Sequence, residues 1–239
     1  MKKTAAVVLA AGKGTRMKSD VPKQFMLLEG KPVIYYSLKV FQESFVDEIV
    51  LVTDEADMEF CQRDIVEKYN LTKVKAIAFG GSERYYSVAN GLEKVSADVD
   101  YIFIHDGARP FVTKQILEDA YQNVCAYKAC VAAMPVKDTI KIADENGFVV
   151  STPRRDRVWQ MQTPQVFESN LIRTAYHRLV KEAAEIIKAG ISITDDAMVV
   201  EYLMEQQVKL FAASYENFKI TTPEDMTIAC EIIRKSETL

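Results

Sequence analysis

Along the chain, short continuous apolar runs alternate with longer segments whose apolar residues recur every three or four positions. The first run, residues 5–10, stops at Gly12 and reads as a buried parallel strand. Pro32 then opens a periodic segment (Val33, Ile34, Tyr36, Leu38, Val40, Phe41), which predicts a helix with proline near its first turn. Further strands are predicted at 48–53, 73–79, 101–105 and 130–135. Helices are predicted at 56–69, 84–95 and 113–127, the last with Thr113 as N-cap. This rhythm implies an α/β fold, a Rossmann-like, doubly wound, mostly parallel sheet with functional loops at the carboxyl ends of the strands.

The rhythm changes after Pro135. Short β runs at 138–143 and 148–151 flank Asn146-Gly147, a strong hairpin signal, and Arg154, Arg155 and Arg157 follow ahead of Trp159. We read residues 137–159 as a β-arm projecting from one domain, residues 1–239, rather than as a second domain. Residues 168–188 return to helix. Thr194-Asp195-Asp196 reads as the start of another helix, and 207–212 as a strand. Thr222-Pro223-Glu224-Asp225 opens the last helix with a cap, a proline and two acids.

Composition narrows the function classes. With 239 residues, 49% hydrophobic and 27% charged, the chain has the make-up of a folded globular protein. Thirty basic against 34 acidic residues leave a net charge of −4, so no general nucleic-acid partner is expected. Cys61, Cys125, Cys130 and Cys230 form no CxxC pair and only two histidines are present, so a zinc site is not expected. Scattered cysteines fit a reducing compartment and small core positions. The first apolar run is too short to span a bilayer and lacks the pattern of a signal peptide. A cytoplasmic protein with no membrane partner is expected.

Five places can carry chemistry. In LAAGKGTRM, Gly12 and Gly14 let backbone N–H groups approach a phosphate, and Lys13, Arg16, Lys18 and Lys23 cluster within eleven residues. Met17 stands where the dinucleotide fingerprint needs its third glycine, and GxxxxGK[ST] is absent. In HDGARP, Asp106 follows a strand and suits a divalent cation on phosphates, whereas His105 alone reads as a structural, hydrogen-bonded histidine. Gly80-Gly81-Ser82-Glu83-Arg84 precedes a helix with Ser87 one turn in, a place for a base, ribose or phosphate. The arm and its exit supply Lys137, Asp138, Thr139, the three arginines and Gln162-Thr163-Pro164-Gln165. The fifth is Lys219. Each also reads as an ordinary turn or a solvated charge. Together they give clustered cations and one metal-suited acid with no nucleophile–base pair, a pattern that suits phosphoryl or nucleotidyl transfer.

The ordered set AAGKGTRM…PKQF, GGSER..SV, HDGARP, VKDTIK, TPQ.F, ITDDA and FKITTPEDM resembles the 2-C-methyl-D-erythritol 4-phosphate cytidylyltransferase family from about residue 4 to 233. The resemblance implies CTP and a polyol phosphate as substrates, Mg²⁺ as cofactor, and a homodimer formed through the arm. By motif, it implies Arg16, Lys23 and Lys219 as the catalytic cations. Ala10, Ala11, Gly12 and Gly14 would shape the triphosphate loop. Gly81, Ser82 and Ser87 would hold the cytidine end, with Asp106 and Gly107 near the ribose and Asp106 on the metal. Thr139 and Arg155, with Arg154 and Arg157 as alternatives, would grip the acceptor phosphate of the partner's site. Thr163 and Thr194 are further substrate-side candidates. The chain departs from the family pattern at Tyr85-Tyr86, where a polar pair is common, and at Ser82, which is often acidic. Ribitol-5-phosphate cytidylyltransferase and a non-catalytic nucleotide-binding regulator are rival readings on the same fold.

Overall fold

The computed structural model describes residues 2–12, 17, 19 and 21–237. A seven-stranded sheet runs through the molecule in the order β11-β7-β10-β6-β1-β4-β5. Its strands are β1 (Thr4–Leu9), β4 (Glu48–Thr53), β5 (Val74–Phe79), β6 (Tyr101–Asp106), β7 (Ala129–Pro135), β10 (Trp159–Glu168) and β11 (Lys209–Ala212). A small hairpin, β2 (Leu27–Leu28) and β3 (Lys31–Pro32), precedes α1. The arm carries β8 (Ile142–Ala143) and β9 (Val149–Ser151). Six strands point one way, and β10 runs antiparallel to both of its neighbours, β6 and β7.

Helices cover both faces because the strands alternate with period two between two cores. On one face Ala6, Val8, Ile49, Leu51 and Phe103 pack against α1 (Val33–Gln42), α4 (Lys114–Tyr127) and the segment around Cys61 and Ile65. On the other, Ala5, Val7, Val50, Val52, Ile102 and Ile104 meet α3 (Arg84–Lys94), α5 (Ser169–Lys188) and α6 (Asp196–Met204). Gly91 lets α3 come close: a Cβ there would lie 2.6 Å from a Val7 methyl and 2.8 Å from a Val52 methyl. A third cluster seats α7 (Pro223–Glu237) on Leu28 and Val33 through Ala229 and Ile233, with Ile220 joining from the segment before it.

Several expectations change. The helix read over 56–69 is a 3₁₀ turn at Glu55–Asp57, a short α2 (Met58–Phe60) and a wider i→i+5 coil over Cys61–Glu67. The 159–168 stretch, taken from sequence as the exit of the arm, is the longest strand of the sheet. The arm hairpin is shorter than predicted. The helix start read at Thr194-Asp195-Asp196 is kept: Asp195 caps α6, its side chain accepting from Met198 N–H at 2.9 Å. Cys61 and Cys130 are buried as expected, but Cys125 is exposed and Cys230 half-buried; all four are free thiols. No helix of the described residues is long and apolar enough to cross a membrane.

Candidate active site

β1, β4, β5 and β6 end side by side, and their loops surround a cavity of about 740 Å³. Main-chain bonds weld these loops to one another. Ala10 N–H donates to Val52 at 2.6 Å, Gly80 N–H to Thr53 at 2.8 Å, and Gly107 N–H to Leu9 at 2.8 Å. This is where a doubly wound sheet binds ligands, since crossover loops diverge there and leave a crevice.

The cavity gathers most of the residues singled out from sequence: Ala10, Ala11, Gly12, Lys23, Gly81, Ser82, Ser87, Asp106 and Lys219. Gly14 and Arg16 lie outside the described residues. Lys23 is buried in a 3₁₀ turn, Lys23–Phe25, and the amide of the adjacent Gln24 donates to the Ala10 carbonyl and, at 3.3 Å, to the Gly12 carbonyl. Gln24 thereby ties the lysine to the loop after β1. Gly81 N–H donates to Ser87 Oγ at 2.9 Å, closing the turn that starts α3. Glycine is required at both 80 and 81, where a Cβ would lie 2.3 Å from that of Ala11 and 2.2 Å from that of Tyr86.

Asp106 is the electrostatic centre. Its carboxylate meets Lys219 Nζ at 2.8 Å, Arg84 Nε at 3.6 Å and Arg109 Nε at 3.8 Å. Burial would raise its pKa, but Lys219, then Arg84 and Arg109, outweigh burial and hold it far below the ordinary carboxylate range. Asp106 is therefore ionised at any physiological pH. Arg84 is held from behind: Nη1 and Nη2 each donate at 2.7 Å to the fully buried Asp196, which also accepts from Tyr176 Oη. Burial opposes the Arg84 charge, yet Asp196 and Asp106 together raise its pKa well above normal.

Gln24, Asp54 and Thr221 line the cavity as well and were given no role from sequence, and neither was Arg84, which was named only as part of the GGSER stretch. Gln24 could have been found from its place beside Lys23. The role of Arg84 could not, because its partner Asp196 is 112 residues away.

A second cavity of about 470 Å³ lies beyond Lys219 and is lined by Arg109, Gln160, Met161, Gln162, Tyr215, Phe218 and Asp225. Lys219 and Thr221 line both cavities. At the arm base Lys137 Nζ sits 3.7 Å from the centre of the Tyr215 ring.

Five predicted residues lie elsewhere. Thr139 and Arg155 are exposed on the arm, with Arg155 Nη1 donating to the Lys137 carbonyl at 3.2 Å. Thr194 is exposed ahead of α6, its hydroxyl 3.8 Å from Met198 Sδ. Thr163 is buried under the site, its hydroxyl oxygen accepting from Asp106 N–H at 3.1 Å. Gly107 sits beneath Asp106, where a Cβ would lie 2.9 Å from the Leu9 carbonyl oxygen.

Residues 4–235 match the family model of 2-C-methyl-D-erythritol 4-phosphate cytidylyltransferase. The chain belongs to that family. A curated relative of that name from Lachnospira eligens is 48% identical, over 94% of this chain and 96% of its own. Another from Lachnoclostridium phytofermentans is 44% identical over 99% of both. The crystal structure of 4-diphosphocytidyl-2C-methyl-D-erythritol synthase from Anaerococcus prevotii superposes with a TM-score of 0.83 at 30% identity, covering 98% of this chain and 96% of that one. The chain is thus a nucleotidyltransferase that joins the cytidylyl group of CTP to 2-C-methyl-D-erythritol 4-phosphate in isoprenoid biosynthesis. The ribitol phosphate and regulator readings give way to this assignment.

Proposed function

We propose that the larger cavity binds CTP, that the smaller one receives the methylerythritol phosphate, and that the reaction occurs where they meet, at Lys219. The observation that carries this reading is that Lys219 lines both cavities while ion-paired to Asp106 at 2.8 Å. A phosphate oxygen of the acceptor attacks the α-phosphorus of CTP. The new P–O bond forms as the α–β phosphoanhydride breaks, and pyrophosphate leaves. A phosphate monoester is already largely ionised at neutral pH, so no general base is needed. The protein's task is to align two anions and stabilise charge on the α-phosphate and the leaving group.

Lys23 and Lys219 supply positive charge to the phosphates, with Arg16 alongside them as the family resemblance implies. Ala10, Ala11 and Gly12 shape the triphosphate loop. Gly81, Ser82 and Ser87 hold the cytidine, and Asp106 and Gly107 stand at its ribose. Among the described residues no three His, Cys, Asp or Glu side chains cluster to hold a metal. Asp106, always ionised, fits a site in which Mg²⁺ has one carboxylate and takes its other ligands from phosphate and water. Bound there, Mg²⁺ would neutralise phosphate charge.

The exposed arm supports a homodimer in which Thr139 and Arg155 serve the partner's acceptor phosphate. Phe148 is 73% exposed and Val150 66%, an apolar surface suited to a second copy. Thr194, from its motif, is a further residue on the substrate side.

Lys23→Ala tests the reading. Turnover should fall ~10²–10³-fold, the usual cost of one preorganised charge donor, while CTP affinity changes far less. Unchanged turnover would remove Lys23 from the reaction.

A further inference from the structure

His105, the penultimate residue of β6, is fully buried, and both of its ring nitrogens are engaged. Nε2 lies 3.2 Å from the Arg109 carbonyl oxygen, which can only accept, so Nε2 carries the proton. Nδ1 is then an acceptor, and the Thr163 hydroxyl, 3.1 Å away, donates to it. The same hydroxyl oxygen accepts from Asp106 N–H at 3.1 Å. For an imidazole carrying one proton, the direction of every bond in this chain follows from the two backbone groups at its ends. His105 therefore brackets the turn Asp106–Arg109, gripping its first residue through Thr163 and its last directly. That turn is itself closed by Arg109 N–H on the Asp106 carbonyl at 3.0 Å. Phe41 packs against the imidazole edge, ring centres 5.4 Å apart, and keeps it from turning.

We propose that His105, acting through Thr163, is a positioning residue: it fixes the backbone that carries the Asp106 carboxylate at the ribose in the first cavity and the Arg109 guanidinium in the wall of the second. The inference rests on the reading of Asp106 as part of the site. It also assigns the Thr163 hydroxyl to the scaffold, since its proton is committed to His105 and its residue is only 3% exposed. A displacement of about 1 Å in such a turn is enough to cost on the order of 10² in rate.

The test has two independent readouts. Ring ¹⁵N shifts of the wild-type protein at pH 7 should show His105 neutral with the proton on Nε2; an Nδ1–H tautomer would overturn the network. His105→Asn and Thr163→Val should lower kcat ~10–10²-fold with KM for both substrates within a few-fold. Thr163→Ser, which keeps the hydroxyl, should stay near wild type. A folded His105→Asn or Thr163→Val protein with wild-type kcat, or a loss confined to KM of the acceptor, would overturn the positioning role. Asp106→Asn is measured alongside: if it keeps full activity, the site reading fails while the tautomer result stands.

Discussion

At the scale of single residues, the site is a set of charges whose directions are set by buried partners. Arg84 shows the principle. Its fork is committed to Asp196, so it presents only Nε to Asp106. Asp196→Asn keeps the shape and removes the charge, leaving the Arg84 guanidinium with only the shared Asp106 carboxylate at 3.6 Å, and breaking such a buried pair typically costs ~3–5 kcal/mol. The expected result is a marked loss of stability in chemical denaturation, together with reduced turnover in the folded fraction. Tyr176→Phe removes one hydrogen bond to the same carboxylate and should cost about 1–3 kcal/mol. Denaturation midpoints equal to wild type in both variants would mean that this network does not hold Arg84. The acid limb of stability follows from His105. Burial, opposed by Asp106, lowers its pKa from about 6.5 to about 4. Between those values the unfolded chain binds the proton and the folded one does not. Its contribution is therefore full above about pH 6.5 and lost as the pH falls toward 4, on the order of 3 kcal/mol over the window. Denaturation in metal-free buffer should show this slope, and a folded His105→Gln variant should lack it.

At the scale of elements, the strand–helix rhythm carried most of the fold. The segments read at 48–53, 101–105 and 113–127 are the strand Glu48–Thr53, the strand Tyr101–Asp106 and the helix Lys114–Tyr127 capped by Thr113, because continuous apolar runs and 3.6-residue periodicity report burial directly. β10 was hidden for a physical reason. WQMQTPQVFE mixes glutamines with a proline and shows neither period, because its polar side chains have buried partners of their own. Gln165 bonds Asp195 and the Ala197 N–H, and Gln162 bonds the Ser214 carbonyl and Asn217. Those partners lie 30 to 55 residues away and leave no local mark. The active-site loops were legible because their glycines and cations stand at strand ends, but their supports, Arg84–Asp196 and His105–Thr163, are tertiary facts. The arm makes a prediction of its own. If Arg155 serves the partner's site, mixing inactive Arg155→Ala and Lys23→Ala proteins should restore activity in heterodimers, each with one intact site. No recovery after confirmed subunit exchange would count against sharing.

At the scale of the whole molecule, two cavities open side by side and share a lysine, the larger at the carboxyl ends of β1, β4, β5 and β6. A net charge of −4 coexists with this local basic centre, so anion binding depends on the cluster and not on the overall field. The central claim is that cytidylyl transfer takes place at that junction by charge stabilisation. The most direct test is pyrophosphate release from CTP with saturating methylerythritol 4-phosphate, by wild type and by Lys219→Met, with ribitol 5-phosphate as a parallel acceptor. Wild type should turn over with methylerythritol phosphate and poorly with ribitol phosphate, and Lys219→Met should be ~10²–10³-fold slower while still binding CTP. Equal rates for wild type and variant would contradict the account, because the residue that lines both cavities would then have no part in the transfer.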